Sequence, residues 1–178
     1  MSQEVVKRFV VKVFLYEIEP LIWRRFSIAE DSTMAQLHIA IQEAMGWENQ
    51  QQHEFRFGKG KNLNDVIAPK DVLEELPPGV SAQDEEGITI KEFLGRGKIP
   101  KRFMYRYDFT DSWVHEIVLE AREEGSVGKP IFLEGERACP PEDCGGSWGY
   151  NSIMSGDVEA LDDDWDAEHF DPAEVKFS

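Results

Sequence analysis

Phe103-Met104-Tyr105-Arg106-Tyr107-Asp108-Phe109-Thr110-Asp111-Ser112-Trp113-Val114-His115-Glu116-Ile117-Val118-Leu119-Glu120 is the stretch on which the fold turns. Phe103, Tyr105, Tyr107 and Phe109 alternate with Met104, Arg106 and Asp108, which predicts a strand with one aromatic face. Thr110-Asp111-Ser112 carries turn chemistry. His115, Ile117 and Leu119 then alternate with Val114, Glu116 and Val118, so the chain returns as a second strand. The N-terminal part repeats the pattern. Phe9, Val11, Val13 and Leu15 share one face of a strand, Pro20 breaks it, and Ile22, Phe26 and Ile28 mark the return.

A helix follows. Thr33 and Gln36 form a capping box, Met34, Leu37, Ile41, Ala44 and Met45 make the apolar stripe, and Gly46 supplies the stop. Residues 53–57 alternate again through Phe55 and Phe57. The order strand-strand-helix-strand is that of a β-grasp-like opening. Residues 58–87 read as loop with one short strand near residues 65–68. A second short helix starts at Thr89, with Glu92 at the capping-box position. Residues 131–134 begin another strand, and residues 139–150 read as a Pro/Gly-rich loop. The expected class is α+β: a single domain over residues 1–178, with a mixed or mainly antiparallel sheet and helices on one face. From about residue 157 the chain is an acidic segment, read as a helix or two anchored through Val158, Leu161, Trp165 and Phe170.

Composition narrows function. The 178 residues carry 19 Lys+Arg against 35 Asp+Glu, a net charge of −16. That balance argues against direct binding to nucleic acid, whose phosphates must be neutralised by cations. Arg96, Lys98, Lys101, Arg102 and Arg106 are the one basic cluster, read as a solvated, self-neutralising patch. No apolar run approaches the roughly 18 residues of a membrane span, and the start of the chain has no signal-peptide core. The expected setting is cytoplasmic, without a membrane. P-loop, dinucleotide, nucleophile-elbow and His-Glu-x-x-His signatures are missing.

Three groups of residues are candidates for chemistry or binding. Asp108, Asp111 and His115 on the hairpin, with Glu142 and Asp143 on the later loop, combine carboxylates and imidazole for acid–base or divalent-metal work. The alternative is that the two aspartates cap a tight turn and the histidine is a hydrogen-bonded core residue. Cys139 and Cys144, followed by a double glycine, suggest half of a zinc site, to be completed by two more ligands from among His53, His115 and Asp111. Reduced cysteines anchoring a rigid loop are the simpler reading. Trp23, Arg24, Arg25, Tyr107, Trp113, Trp148 and Tyr150 are the candidates for a binding surface. It is expected where the hairpin meets the 139–150 loop, and its expected partner is a protein.

Several motifs, taken in order, carry a resemblance. They are Pro20-Leu21-Ile22-Trp23-Arg24-Arg25, Leu37-His38 with Gln42, Met45-Gly46-Trp47, and His53-Glu54-Phe55. Tyr105 to His115 and Cys139-Pro140-Pro141-Glu142-Asp143-Cys144-Gly145-Gly146 with Gly149-Tyr150 complete the set. The sequence resembles the plasmid pRiA4b ORF-3-like family, also described as transposon passenger or TnpR-like proteins. Thr110 and Ser147-Trp148 depart from the pattern. The resemblance implies an α+β domain associated with plasmids and mobile elements. Two functions stay open: a non-enzymatic binding domain accessory to such an element or its host, and a metal-dependent enzyme, for instance a hydrolase acting on nucleic acid. Serine recombination is not implied, because neither a nucleophilic serine among arginines nor a basic DNA-binding module is recognisable.

Overall fold

The structure, a computed structural model, describes residues 5–59, 62–142, 144–156 and 165–178. Among them, eight strands form one mixed sheet. The strands are β1 (Val5–Leu15), β2 (Trp23–Ala29), β3 (His53–Lys59), β4 (Asn62–Ala68), β5 (Ala82–Asp84), β6 (Lys101–Tyr107), β7 (Trp113–Ser126) and β8 (Ile131–Glu136). The helices are α1 (Met34–Met45), α2 (Lys70–Glu74), α3 (Ile90–Leu94) and α4 (Gly146–Met154). The sheet order is β5-β4-β3-β6-β7-β1-β2-β8, and β4–β5 is its parallel pair. The strand-strand-helix-strand order is present along the chain, but β6 and β7 lie between β3 and β1 in the sheet.

The β6–β7 hairpin closes as its composition dictates. Asp108 takes a left-handed backbone at φ 63, and its carboxylate accepts the amide hydrogens of Thr110 and Asp111 at 3.0 and 3.2 Å. An aspartate tolerates that conformation because its side chain bonds the local backbone. Phe103, Tyr105, Tyr107, Trp113, His115, Ile117 and Leu119 then share the core face with Phe9, Val11, Val13, Phe26 and Ile28. Each large apolar side chain removed from water there contributes about 1.5–3 kcal/mol. α1 lays Met34, Leu37, Ile41, Ala44 and Met45 onto this face. Its capping box is complete at Thr33 and Gln36, and Gly46 ends it at φ 82. α3 is tied beside α1 by Ile90 N–H donating to Ser32 O at 2.8 Å.

The opposite face is ribbed with ion pairs. Arg25 meets Glu120 at 2.7 Å, Arg102 meets Glu116 at 2.6 Å, and Arg106 meets Glu54 at 3.0 Å. Arg102 and Arg106 of β6 are thus neutralised by the chain's own acids, and each such half-exposed pair adds little stability. Val72 of α2 packs on Val66 and Ala68, whose positions alternate with the core-facing Ile67.

Three expectations are corrected. The second half of the 139–150 loop is helical, because Gly145 and Gly146 take positive φ (98 and 69) and turn the chain into α4. Residues 58–87 hold β5 and α2 as well as β4, elements too short for a periodicity to show. Residues 165–178 form a strap with one 3₁₀ turn at Pro172–Glu174 instead of a helix. Val158 and Leu161 lie outside the described residues, as do the acids of residues 157–164 and Asp143.

Candidate functional site

The 139–145 loop docks on the β6–β7 hairpin through a set of directed hydrogen bonds. Glu142 accepts the Tyr107 hydroxyl and the Glu48 amide hydrogen, the latter at 3.1 Å. The indole of Trp113 donates to Glu142 O at 3.0 Å, and that of Trp47 donates to Pro140 O at 3.2 Å. Asp111 Oδ2 accepts from Gly145 N at 3.2 Å. Gly146 and Gly149 leave no room for a Cβ, which would strike the carbonyls of Asp111 and Cys144. Burial and the Glu142 carboxylate both push the Tyr107 hydroxyl above its ordinary pKa.

This docking decides what the candidate acids and histidine do. Asp108 is a turn cap, Asp111 holds the loop, and Glu142 holds both hairpin and loop. His115 is fully buried, and its Nδ1–H donates to Tyr105 O at 3.3 Å. Burial drives its pKa down to about 4, so the ring is neutral, and Nε2 has no partner among the described residues. Among the described residues no three His, Cys, Asp or Glu side chains are grouped to hold an ion. Cys139 and Cys144 are thiols packed against the core, and burial raises the pKa of Cys139, which makes it a poor nucleophile or ligand. The binding-surface candidates also divide. Arg24, Tyr107, Trp113 and Tyr150 are buried, and Trp23 lies under the cations of Lys12 and Arg25. Tyr107, Trp113 and Tyr150 therefore form the wall behind the surface, because their rings complete the core, while Trp23 covers the opposite sheet face. Trp148 alone of the set is freely displayed, 79% exposed on α4.

Two clefts flank the segment that joins α1 to β3. The larger, about 810 Å³, lies between the end of α1, the 138–142 loop and the strap. Trp47, Trp165 and Phe170 line it, and Glu43, Glu48, Glu142, Asp166 and Glu174 supply five carboxylates. Its one Lys or Arg is Arg24, only 2% exposed, with the guanidinium 3.8 Å from the centre of the Phe170 ring. Arg24 donates to Ala44 O at 3.1 Å, Trp23 O at 2.9 Å and Glu136 O at 3.1 Å. The Ala44 carbonyl belongs to the last turn of α1, the negative end of its dipole. Burial lowers the Arg24 pKa to about 10, which leaves it charged at neutral pH.

The second cleft, about 640 Å³, opens between α1, residues 49–53 and the 3₁₀ turn Glu85–Gly87. Beneath it lies a closed ring of hydrogen bonds. Gln42 Nε2 donates to the Tyr105 hydroxyl at 3.0 Å, which lies 2.6 Å from His38 Nδ1. His38 Nε2 lies 2.7 Å from Asn49 Oδ1, and Asn49 N–H donates to Gln42 Oε1 at 3.0 Å. Asn49 Oδ1 can only accept, so His38 is protonated at Nε2, and Tyr105 donates to Nδ1. Burial and the neighbouring His53 push the His38 pKa down to about 3, in keeping with a neutral ring. The His53 imidazole stacks on it with centroids 3.3 Å apart, and His53 Nε2 meets Glu85 Oε2 at 2.7 Å. His38, Gln42 and Tyr105 were legible as motif residues, but their mutual bonding was not. Glu85 was missed, because its only local signal is an acid next to a short turn, 32 residues from His53.

The comparisons with known proteins agree with this architecture. Residues 7–177 match the family model of the plasmid pRiA4b ORF-3-like protein. The chain is 35% identical over 168 residues to the uncharacterized protein y4hQ of Sinorhizobium fredii (strain NBRC 101917 / NGR234), covering 92% of this chain and 78% of that one. It is similar to the crystal structure of a protein of unknown function, MM3350, from Methanosarcina mazei Go1. That likeness has a TM-score of 0.81 at 33% identity and covers 96% of this chain and 97% of the other. With this sheet order shared by a solved relative and a family match over nearly its whole length, the chain belongs to the plasmid pRiA4b ORF-3-like family.

Proposed function

We propose that the chain is a non-enzymatic binding domain, and that the larger cleft takes a basic segment of a protein partner. One observation carries the reading: five carboxylates and three aromatic rings line a cleft whose single arginine is buried beneath Phe170. Aromatic faces and carboxylates together favour ammonium and guanidinium groups. The net charge of −16 steers such a partner in and repels nucleic acid. Trp148 offers a second, apolar anchor of the kind that dominates protein interfaces. The thiol state of Cys139 and Cys144 fits a reducing, cytoplasmic setting. Among the described residues no helix is long and apolar enough to cross a membrane. The plasmid in the family description supports a role accessory to a plasmid or its host.

The test is a peptide array of Lys/Arg-rich, uncharged and Asp/Glu-rich sequences, read at low and high salt. The basic peptides bind the wild-type chain, and binding falls with salt. The Glu48→Lys/Glu174→Lys double variant loses it. Equal binding by that variant, or a preference for uncharged or acidic peptides, contradicts the proposal.

A further inference from the structure

We infer that the second cleft is a separate binding site for a small organic cation with N–H donors, an ammonium or guanidinium compound, seated against the His53–Glu85 pair. This cleft lies on the other side of the α1–β3 connection from the acidic cleft.

The side chains of His53 and Glu85 are 8% and 7% exposed, yet both line a cleft of about 640 Å³. That volume is in the range of small-molecule sites. Taking a carboxylate and an imidazole out of water together is costly, and a core needing only stability is served as well by apolar residues. The stacked partner, His38, has both ring nitrogens engaged in the closed ring. The ring fixes His38, and His38 fixes the plane of His53, so the His53–Glu85 pair is held rigidly at the cleft wall.

The lining then selects the ligand. Asn49, Gln50, Gln51 and Gln52 bring four consecutive carboxamides to the cleft. Gln50 donates its amide to Glu48 at 2.8 Å, and Gln52 donates to Asp71 at 3.3 Å. The carbonyl oxygens of those amides remain as acceptors. Asp71, Glu85 and Glu86 add carboxylates, and no Lys or Arg lines the cleft. A site rich in acceptors and lacking fixed cations rejects phosphate and carboxylate ligands and favours a cationic donor. Ile39 and Pro69 provide apolar walls for a short alkyl stem.

The experiment uses the full chain and follows the ring C–H resonances of His53 and His38 by NMR. The probes are agmatine, acetyl-arginine methylamide, 1,4-butanediol and inorganic phosphate. Agmatine shifts the His53 signals saturably, with half-saturation below roughly 10 mM, while butanediol and phosphate leave them in place. Glu85→Gln weakens agmatine about tenfold, as loss of a charge-assisted contact implies. Asp71→Asn, a change at an exposed rim residue, weakens it to a lesser degree and covers the case in which the Glu85 variant misfolds. Binding of agmatine but not of the blocked arginine identifies a free amine as the source. Equal binding of both identifies an arginine side chain of a partner. Unmoved His53 signals, equal shifts with butanediol, or an unchanged agmatine affinity in both variants overturns the inference.

Discussion

The two clefts lie on either side of one short connection, yet the tyrosines beneath them behave differently. Tyr107, under the acidic cleft, donates to Glu142 and so clamps a loop to the sheet. Tyr105, two residues earlier on the same strand, joins a ring made with α1 and Asn49. The first clamp ties loop to sheet and leaves carboxylates at the rim. The second ties helix to sheet and positions a histidine pair at a cleft wall. Neighbouring core positions of one strand thus serve two surfaces.

Breaking the loop clamp gives the largest effect. Gly149→Ala forces a Cβ into the Cys144 carbonyl, and the expected loss is about 4 kcal/mol, or failure to fold, in urea unfolding. A loss under about 1 kcal/mol would mean that α4 is loosely seated. Breaking the ring comes next. Tyr105→Phe leaves His38 Nδ1 and Gln42 Nε2 buried without their partner, which costs about 3 kcal/mol. The Tyr107–Glu142 clamp survives that change, so the Trp47 and Trp113 indole signals keep their positions.

The buried histidines give a pH signature. The folded-state pKa values of His115 and His38 lie near 4 and 3, below the ordinary 6.5. Below that ordinary value the unfolded chain binds protons that the folded chain refuses. Stability is therefore whole above about pH 6.5 and falls as pH drops toward 4 for His115 and toward 3 for His38. His115→Phe removes the first part, so the variant loses about 2 kcal/mol less than wild type between pH 7 and pH 5 in denaturant titrations. Identical slopes would mean that His115 binds its proton in the fold as readily as in the unfolded chain. Glu142→Gln is milder, about 1 kcal/mol, because the amide oxygen still accepts from Tyr107. Trp148→Ala changes stability by no more than about 0.5 kcal/mol, since its ring touches mostly water, while it weakens partner binding.

Much of this was legible in the residues. The alternation of residues 103–120 and 9–28 sets four neighbouring strands of the sheet, and the Thr33–Gln36 box with Gly46 sets α1, because period and capping are local. What the residues hid is long-range. Glu142 read as a metal or acid–base candidate, but its partners Tyr107 and Glu48 are 35 and 94 residues away. Glu85 carries no local pattern, and its pairing with His53 exists only once β3 and the 3₁₀ turn come together. The five carboxylates of the acidic cleft come from α1, the segment after it, the 138–142 loop and the strap, so their convergence has no signature in any one stretch.

A basic segment seated in the acidic cleft lies against Trp47 and Trp165. The most direct measurement is the indole N–H spectrum of the chain's five tryptophans during titration with a Lys/Arg-rich peptide. The expected result is that Trp165 and Trp47, which line the cleft, shift and saturate together while Trp23, on the opposite sheet face, stays in place. Shifts at Trp23 with Trp165 and Trp47 unmoved would contradict it.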